Sequence, residues 1–186
     1  MASRAEMFNR RASSSKSNPE GVLEKLALKQ GQIIADVGSG GGFFTLRFAG
    51  LVGANGKVYA VDTNPDFLKY IEKSAKEKGI SNVVTVLAKD DGFELPADSL
   101  DLIFIRNVTH HLPNRISYFR RMKGLLRSGG RVAIIEYKPG GGFSFRRLFG
   151  HFIRKEDLIR EMKEAGYGQY HDFDLLQEQS FLIFSI

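Results

Sequence analysis

The chain has 186 residues, 42% hydrophobic and 26% charged, the proportions of an ordinary soluble protein long enough for one domain with a full core. It has no cysteine, which excludes disulfides, thiolate metal sites and cysteine nucleophiles, and no apolar run near the ~20 residues that span a bilayer. The formal charge of +6 fits an anionic partner or solubility alone, and the polar start, Met1 to Lys16, has no hydrophobic signal core, so the cytoplasm is the expected compartment.

Residues 1–18 are polar with weak apolar periodicity, which predicts a mobile arm or an arm laid over a pocket. Residues 19–186 are expected to form a single domain. Asn18-Pro19-Glu20 opens a helix that carries Val22, Leu23, Leu26 and Leu28 and ends near Lys29-Gln30-Gly31. Strand and helix then alternate: strand 33–37 and helix 43–52, strand 58–61 and helix 65–78, strand 83–87 and a loop. Strand 102–106 follows with helix 113–126, then strand 131–137 with helix 155–165. Short β-branched runs separated by helices imply a parallel sheet covered on both faces. The end breaks the rhythm, because the strand-like runs 170–176 and 179–185 are separated only by Gln177-Glu178 and can pair only as a hairpin. One antiparallel strand therefore joins an otherwise parallel sheet. On helix 113–126, Ile116, Phe119, Met122 and Leu126 form a stripe to be buried, which leaves Arg115, Arg120, Arg121, Lys123 and Arg127 as a solvated face.

The first strand runs directly into Asp36-Val37-Gly38-Ser39-Gly40-Gly41-Gly42 and then into a helix. Glycines at alternate positions permit positive φ and turn main-chain N–H groups toward a ligand at the helix N-terminus. The dinucleotide fingerprint G-x-G-x-x-G fits poorly: counted from Gly38 its third glycine is Phe43, and counted from Gly40 it is Thr45. Asp62 ends the second strand about 20 residues past the loop, where an acid reaches ribose hydroxyls. A capping role for Asp62 is the weaker reading, since Asn64-Pro65 already supplies an N-cap and first helical residue. The third strand leads into Lys89-Asp90-Asp91, where a carboxylate either accepts the adenine amino group or serves as a turn residue. Asp36, Asp62 and Asp90 thus end three successive strands, whose carboxyl ends line one crevice in an open parallel sheet.

With this loop, Asp-x-Gly-x-Gly-x-Gly, the chain from about Glu20 onward resembles the class I S-adenosylmethionine (SAM) dependent methyltransferases. It is most similar to the small-molecule branch that includes ubiquinone and menaquinone methyltransferases. Leu95-Pro96-Ala97-Asp98-Ser99-Leu100-Asp101 looks like that branch's L-P-x-x-x-S-F-D segment, Asn107-Val108-Thr109-His110-His111-Leu112 its histidine-containing stretch, and Ser128-Gly129-Gly130 its turn. The resemblance implies an α/β, doubly wound, Rossmann-like fold: a seven-stranded, mostly parallel sheet with an antiparallel last strand, in the order 3-2-1-4-5-7-6. It also implies SAM as cofactor and S-adenosylhomocysteine as product. By that similarity Asp36 takes the methionine ammonium, directly or through water, and Gly38, Ser39, Gly40 and Gly42 contact the methionine and ribose. Asp62 takes the ribose hydroxyls, Thr63 lies under the adenine, Asp90 or the adjoining Asp91 meets its amino group, and Asn107 sits beneath the sulfonium. Lys89 departs from the family, which has a glycine before this acid.

The expected activity is methyl transfer to a small-molecule acceptor at O, N or C. An RNA or protein methyltransferase and a non-catalytic SAM-binding protein are the alternatives. Arg106-Asn107-Val108-Thr109 lacks the prolines typical of DNA-adenine and protein-glutamine enzymes, and the missing thiol excludes arsenite and cysteine-mediated cytosine methylation. No separate recognition domain is visible, which disfavours nucleic acid. His110 and His111 lie where a substrate proton is taken, although either can instead cap or pack the next helix. Glu136 and Tyr137 border the same crevice, Glu136 to orient substrate or to form a structural ion pair. The glycine-, aromatic- and arginine-rich segment 139–155 is open to three readings: a cover for a planar or anionic substrate, a peripheral contact with a membrane, or a linker packed on the core. No metal is expected, and no feature specifies an oligomeric state.

Overall fold

The computed structural model describes residues 3–89, 92–139 and 152–186. Seven strands form one sheet: β1 (Ile33–Val37), β2 (Lys57–Asp62), β3 (Val83–Leu87), β4 (Leu100–Arg106), β5 (Leu126–Tyr137), β6 (Gln169–Phe173) and β7 (Gln179–Ser185). Their order, β3-β2-β1-β4-β5-β7-β6, is the one expected. β1, β2, β3, β4 and β5 pair in parallel, whereas β7 runs antiparallel to both β5 and β6. The largely apolar sequences of β1 and β4 mark them as central, and both are buried nearly throughout.

Helices cover both faces. On one, α2 (Pro19–Leu26) and α3 (Phe43–Val52) pack Val22, Leu26, Phe44 and Phe48 against Phe104 and Phe181. On the other, α5 (Arg115–Lys123) and α6 (Lys155–Glu164) pack Phe119, Met122, Leu158 and Met162 against Ile103 and Ile105. Between β2 and β3 lies α4 (Pro65–Glu77), opened by Asn64, whose side chain accepts from the Asp66 N–H at 2.9 Å. At the opposite edge from the glycine loop, buried Asp101 accepts from the Ile33 N–H at 2.7 Å and pairs with Arg127. The acid of the Leu95–Asp101 motif is therefore structural, tying β4 to the start of β1. No helix among the described residues is long and apolar enough to cross a membrane.

Several boundaries move for local reasons. α2 stops at Leu26 rather than running past Leu28, because Ala27 turns left-handed (φ 47°) and Arg131 donates to the freed Leu26 carbonyl at 2.8 Å. Left-handed Asn114 (φ 44°) delays the start of α5 to Arg115. Leu126 does not extend the buried stripe of that helix; it begins β5 and pairs with Leu100, the register shifting before Leu102 meets Arg131. β6 ends at Phe173, not at Leu176. Before Asn18 the chain forms α1 (Arg4–Ala12) and a 3₁₀ turn, Ser15–Ser17. A capping box opens α1: Ser3 Oγ accepts from the Glu6 N–H, and the Glu6 carboxylate accepts from the Ser3 N–H.

Candidate active site

Five parallel strands bring their carboxyl ends to one edge of the sheet, where a cavity of about 1370 Å³ opens. Sites for a single small ligand run to roughly 300–1,000 Å³, so this one has room for two molecules. Asp36, the loop from Gly38 to Gly41, Asp62, Thr63, Asn107, His110 and His111 border it, whereas Gly42 faces Ile71 and does not line it. Asp90 and Asp91 lie outside the described residues, as does most of the segment 139–155.

The loop is shaped by what stands against it. At Gly38 (φ 74°) a β-carbon would overlap the Val108 side chain, and its N–H donates to the Val61 carbonyl at 2.8 Å. Gly41 is small for a different reason: a β-carbon there would run into the Ala5 carbonyl oxygen and the Asn9 side chain. Helix α1 thus lies directly on the loop. Asn9 donates to the Gly41 carbonyl at 2.8 Å and accepts from the Phe43 N–H at 3.1 Å. Gly42, the N-cap of α3, has no side chain to do this, so a residue from another helix caps α3 in its place.

Asp36 is buried, and Thr45 Oγ1 donates to its Oδ2 at 2.6 Å. Burial, reinforced by Asp62, pushes its carboxyl up to about 7, while Thr45 and Arg106 hold it down. Asp62 splits its oxygens: Oδ2 accepts from the Gly40 N–H at 2.8 Å and Oδ1 from the Asn64 N–H at 2.9 Å. It therefore fixes the loop to the tip of β2 without capping α4. Asn107, left-handed at φ 55°, donates its N–H to the Ile135 carbonyl at 2.8 Å and accepts from Gln179 Nε2 at 2.6 Å.

Across the cavity, His110 Nδ1 is 2.9 Å from Glu136 Oε1, and the Glu136 side chain is wholly buried. The same carboxylate accepts from the His110 N–H at 3.3 Å and the Tyr137 N–H at 2.9 Å. Its role is thus to hold the His110 ring and its backbone, with His111 leaning on that ring at 4.0 Å between centroids.

Some site residues have no anticipating motif. Thr45 is found only by folding α3 onto β1, and Asn9 only by docking α1. Arg106 did leave a signal: it follows four consecutive apolar residues, Leu102 to Ile105, and a cation ending a buried strand needs a reason. Among the described residues the buried side-chain polar atoms without a hydrogen-bond partner are Ser39 Oγ, Arg106 Nε and Thr109 Oγ1. Ser39 and Arg106 line the cavity. Orphaned polar atoms beside a buried acid that has no ion pair among the described residues are what a polar, zwitterionic ligand completes.

The model of the methyltransferase domain matches residues 28–172, well over half of the chain. The ubiquinone/menaquinone biosynthesis C-methyltransferase of Ectopseudomonas mendocina is 31% identical over 161 residues, 77% of this chain and 61% of the relative. The demethylmenaquinone methyltransferase of Geobacillus stearothermophilus is 26% identical over 133 residues, 72% of this chain and 57% of the relative. The chain spans about three fifths of the length of these two relatives. A SAM dependent methyltransferase from Aquifex aeolicus superposes with a TM-score of 0.79 over 96% of both chains at 22% identity, which is a likeness of fold. By the match of the methyltransferase-domain model over residues 28–172, with which its sheet order and glycine loop agree, the chain belongs to the methyltransferase-domain family.

Proposed function

We propose that this chain is a cytoplasmic SAM-dependent methyltransferase whose acceptor is a small organic molecule. The observation that carries the proposal is the joining of two carboxylates, Asp36 and Asp62, to a glycine loop at the mouth of one cavity large enough for cofactor and acceptor together. The residues fit the cofactor. Asp36 is a buried acid that an ammonium would neutralise, and Ser39 Oγ is a buried hydroxyl without a partner. The names of the relatives, which are methyltransferases of quinone biosynthesis, support a small acceptor.

In this reading Asp36 holds the methionine ammonium and Asp62 the ribose hydroxyls. Gly38, Ser39, Gly40 and Gly42 follow the methionine and ribose, Thr63 with Asp90 or Asp91 meets the adenine, and Asn107 floors the sulfonium. The bound cofactor supplies a methyl carbon on a sulfonium, an excellent leaving group, so the protein's task is alignment and proton acceptance. Glu136 accepts the Nδ1 proton of His110, which fixes the lone pair on Nε2 of a ring that borders the cavity. His110 is then the proton acceptor for an O–H or N–H nucleophile, and His111 sets the angle of its ring.

A thermal-shift comparison of S-adenosylhomocysteine, SAM and NAD tests the reading. At about a hundred times its dissociation constant a ligand adds about 2.7 kcal/mol, a rise of roughly 5–10 °C for a chain of this size. The two adenosyl compounds should give that rise and NAD none. A response to NAD alone would refute the proposal.

A further inference from the structure

Arg106 has no role in the mechanism above, yet it lines the cavity. It ends β4, next to β1, and Phe104 two residues earlier pairs with Asp36. Alternate residues of a strand share a face, so Asp36, Phe104 and Arg106 all project toward α3. Phe104 packs there on Phe44, and the Arg106 guanidinium lies 5.6 Å over the same Phe44 ring.

The contacts of Arg106 hold its position without neutralising it. Nη2 donates to Ser17 Oγ at 2.9 Å, and Ser17 Oγ in turn donates to the Arg11 carbonyl at 2.6 Å. Nε is buried without a hydrogen-bond partner. Burial draws the guanidinium down from its ordinary value, opposed by Tyr137 and Asp36. No ion pair joins Asp36 and Arg106 among the described residues; Thr45 takes the acid and Ser17 the base. An acid and a base, both on the cavity wall with no ion pair between them, match a ligand that carries both signs a few bonds apart.

We propose that Arg106 is the carboxylate anchor for the amino-acid end of the cofactor, forming with Asp36 a two-point clamp for an α-amino acid zwitterion. This rests on the reading of the cavity as a SAM site. A planar guanidinium suits a carboxylate because its N–H groups are fixed in one plane. The unsatisfied Nε–H gains its partner only when the ligand is present. The clamp makes Arg106 a specificity residue, one that separates the full cofactor from adenosyl compounds lacking the carboxylate. It also links binding to the N-terminal segment, since Ser17 braces the same side chain.

Calorimetric titration with two ligands tests this directly. One is S-adenosylhomocysteine; the other is its decarboxylated analogue, 5′-(3-aminopropylthio)adenosine, which keeps the ammonium and loses only the carboxylate. The wild-type chain should prefer S-adenosylhomocysteine by about tenfold or more, the range of a charge-assisted pair. Arg106→Gln should lose about that factor for S-adenosylhomocysteine and stay within about twofold for the analogue, so the preference disappears. An equal loss for both ligands, or none for either, would overturn the proposal. If Arg106→Gln does not fold, Arg106→Lys replaces it; charge without the planar fork should cost S-adenosylhomocysteine about threefold and spare the analogue. A wild-type chain that binds neither ligand would overturn the cofactor reading, and the clamp with it. A chain that binds both equally would overturn the clamp alone.

Discussion

Asp36→Asn separates the cost of the site from its use. The substitution keeps the side-chain shape and an oxygen for Thr45 Oγ1, which donates to Asp36 at 2.6 Å, but removes the charge that burial disfavours. Folding raises the Asp36 carboxyl from 3.8 to about 7, and each unit corresponds to about 1.4 kcal/mol. Between those two values the unfolded chain has released this proton while the folded chain retains it. The unfolded state then binds fewer protons, so stability falls as pH rises through the window from about 4 to about 7. Above it the accumulated loss is on the order of 4 kcal/mol. Asparagine does not titrate. Its stability advantage over the wild type should therefore grow by about 2–3 kcal/mol between about pH 5 and about pH 8, whatever constant offset the amide introduces. Urea unfolding at the two pH values, with an unchanged slope m, measures this difference. The same variant should lose affinity for S-adenosylhomocysteine, because an amide cannot neutralise an ammonium. A difference that is flat with pH, or that shrinks as pH rises, would refute the reasoning.

Other substitutions address the remaining parts of the site. Asp62→Ala removes the acceptor for the Gly40 and Asn64 N–H groups as well as the proposed ribose contact, and should weaken S-adenosylhomocysteine by more than about tenfold in calorimetry; unchanged affinity would remove the ribose assignment. His110→Ala and Glu136→Gln should each lower kcat by about 10²–10⁴ in a methyl-transfer assay while leaving cofactor affinity within about twofold. A pH–rate profile unaltered in His110→Ala would dispose of the histidine base. Gly41→Ala drives a methyl group into the Ala5 carbonyl and Asn9, so α1 should lift off the loop. Faster amide exchange across residues 4–12 and a loss of about 1–3 kcal/mol are expected, and unchanged exchange would count against the docking of α1.

The sheet was legible because its strands obey local rules. Ile33 to Val37 is apolar but for Asp36, Leu102 to Ile105 is unbroken, and the short polar gap around Gln177-Glu178 leaves the last strands no choice but a hairpin. The Asp36–Gly42 loop was legible because a buried strand ending in an acid and alternate glycines leaves few structural uses. What stayed hidden depends on partners distant in sequence. Leu126 continues the helical spacing of Phe119 and Met122, and only its pairing with Leu100 moves it into β5. Ala27 turns left-handed beside a carbonyl that Arg131 claims from the sheet. The capping box of α1, Ser3 with Glu6, was present in a segment whose polar composition argued for an arm. Asn9 caps α3 across 34 residues, a relation without a local signature. The pairing of His110 with Glu136 needed β4 and β5 side by side before either residue had a partner.

The central claim is that one sheet edge holds an adenosyl sulfonium with its methyl carbon turned toward His110. Its most direct test is a crystal structure of the full chain grown with S-adenosylhomocysteine. The ligand should lie along the loop from Gly38 to Gly42, with the ribose hydroxyls on Asp62, the amino group toward Asp36 and the sulfur facing the His110 side of the cavity. A cavity still empty at saturating ligand, or a ligand seated away from the glycine loop, would contradict the account.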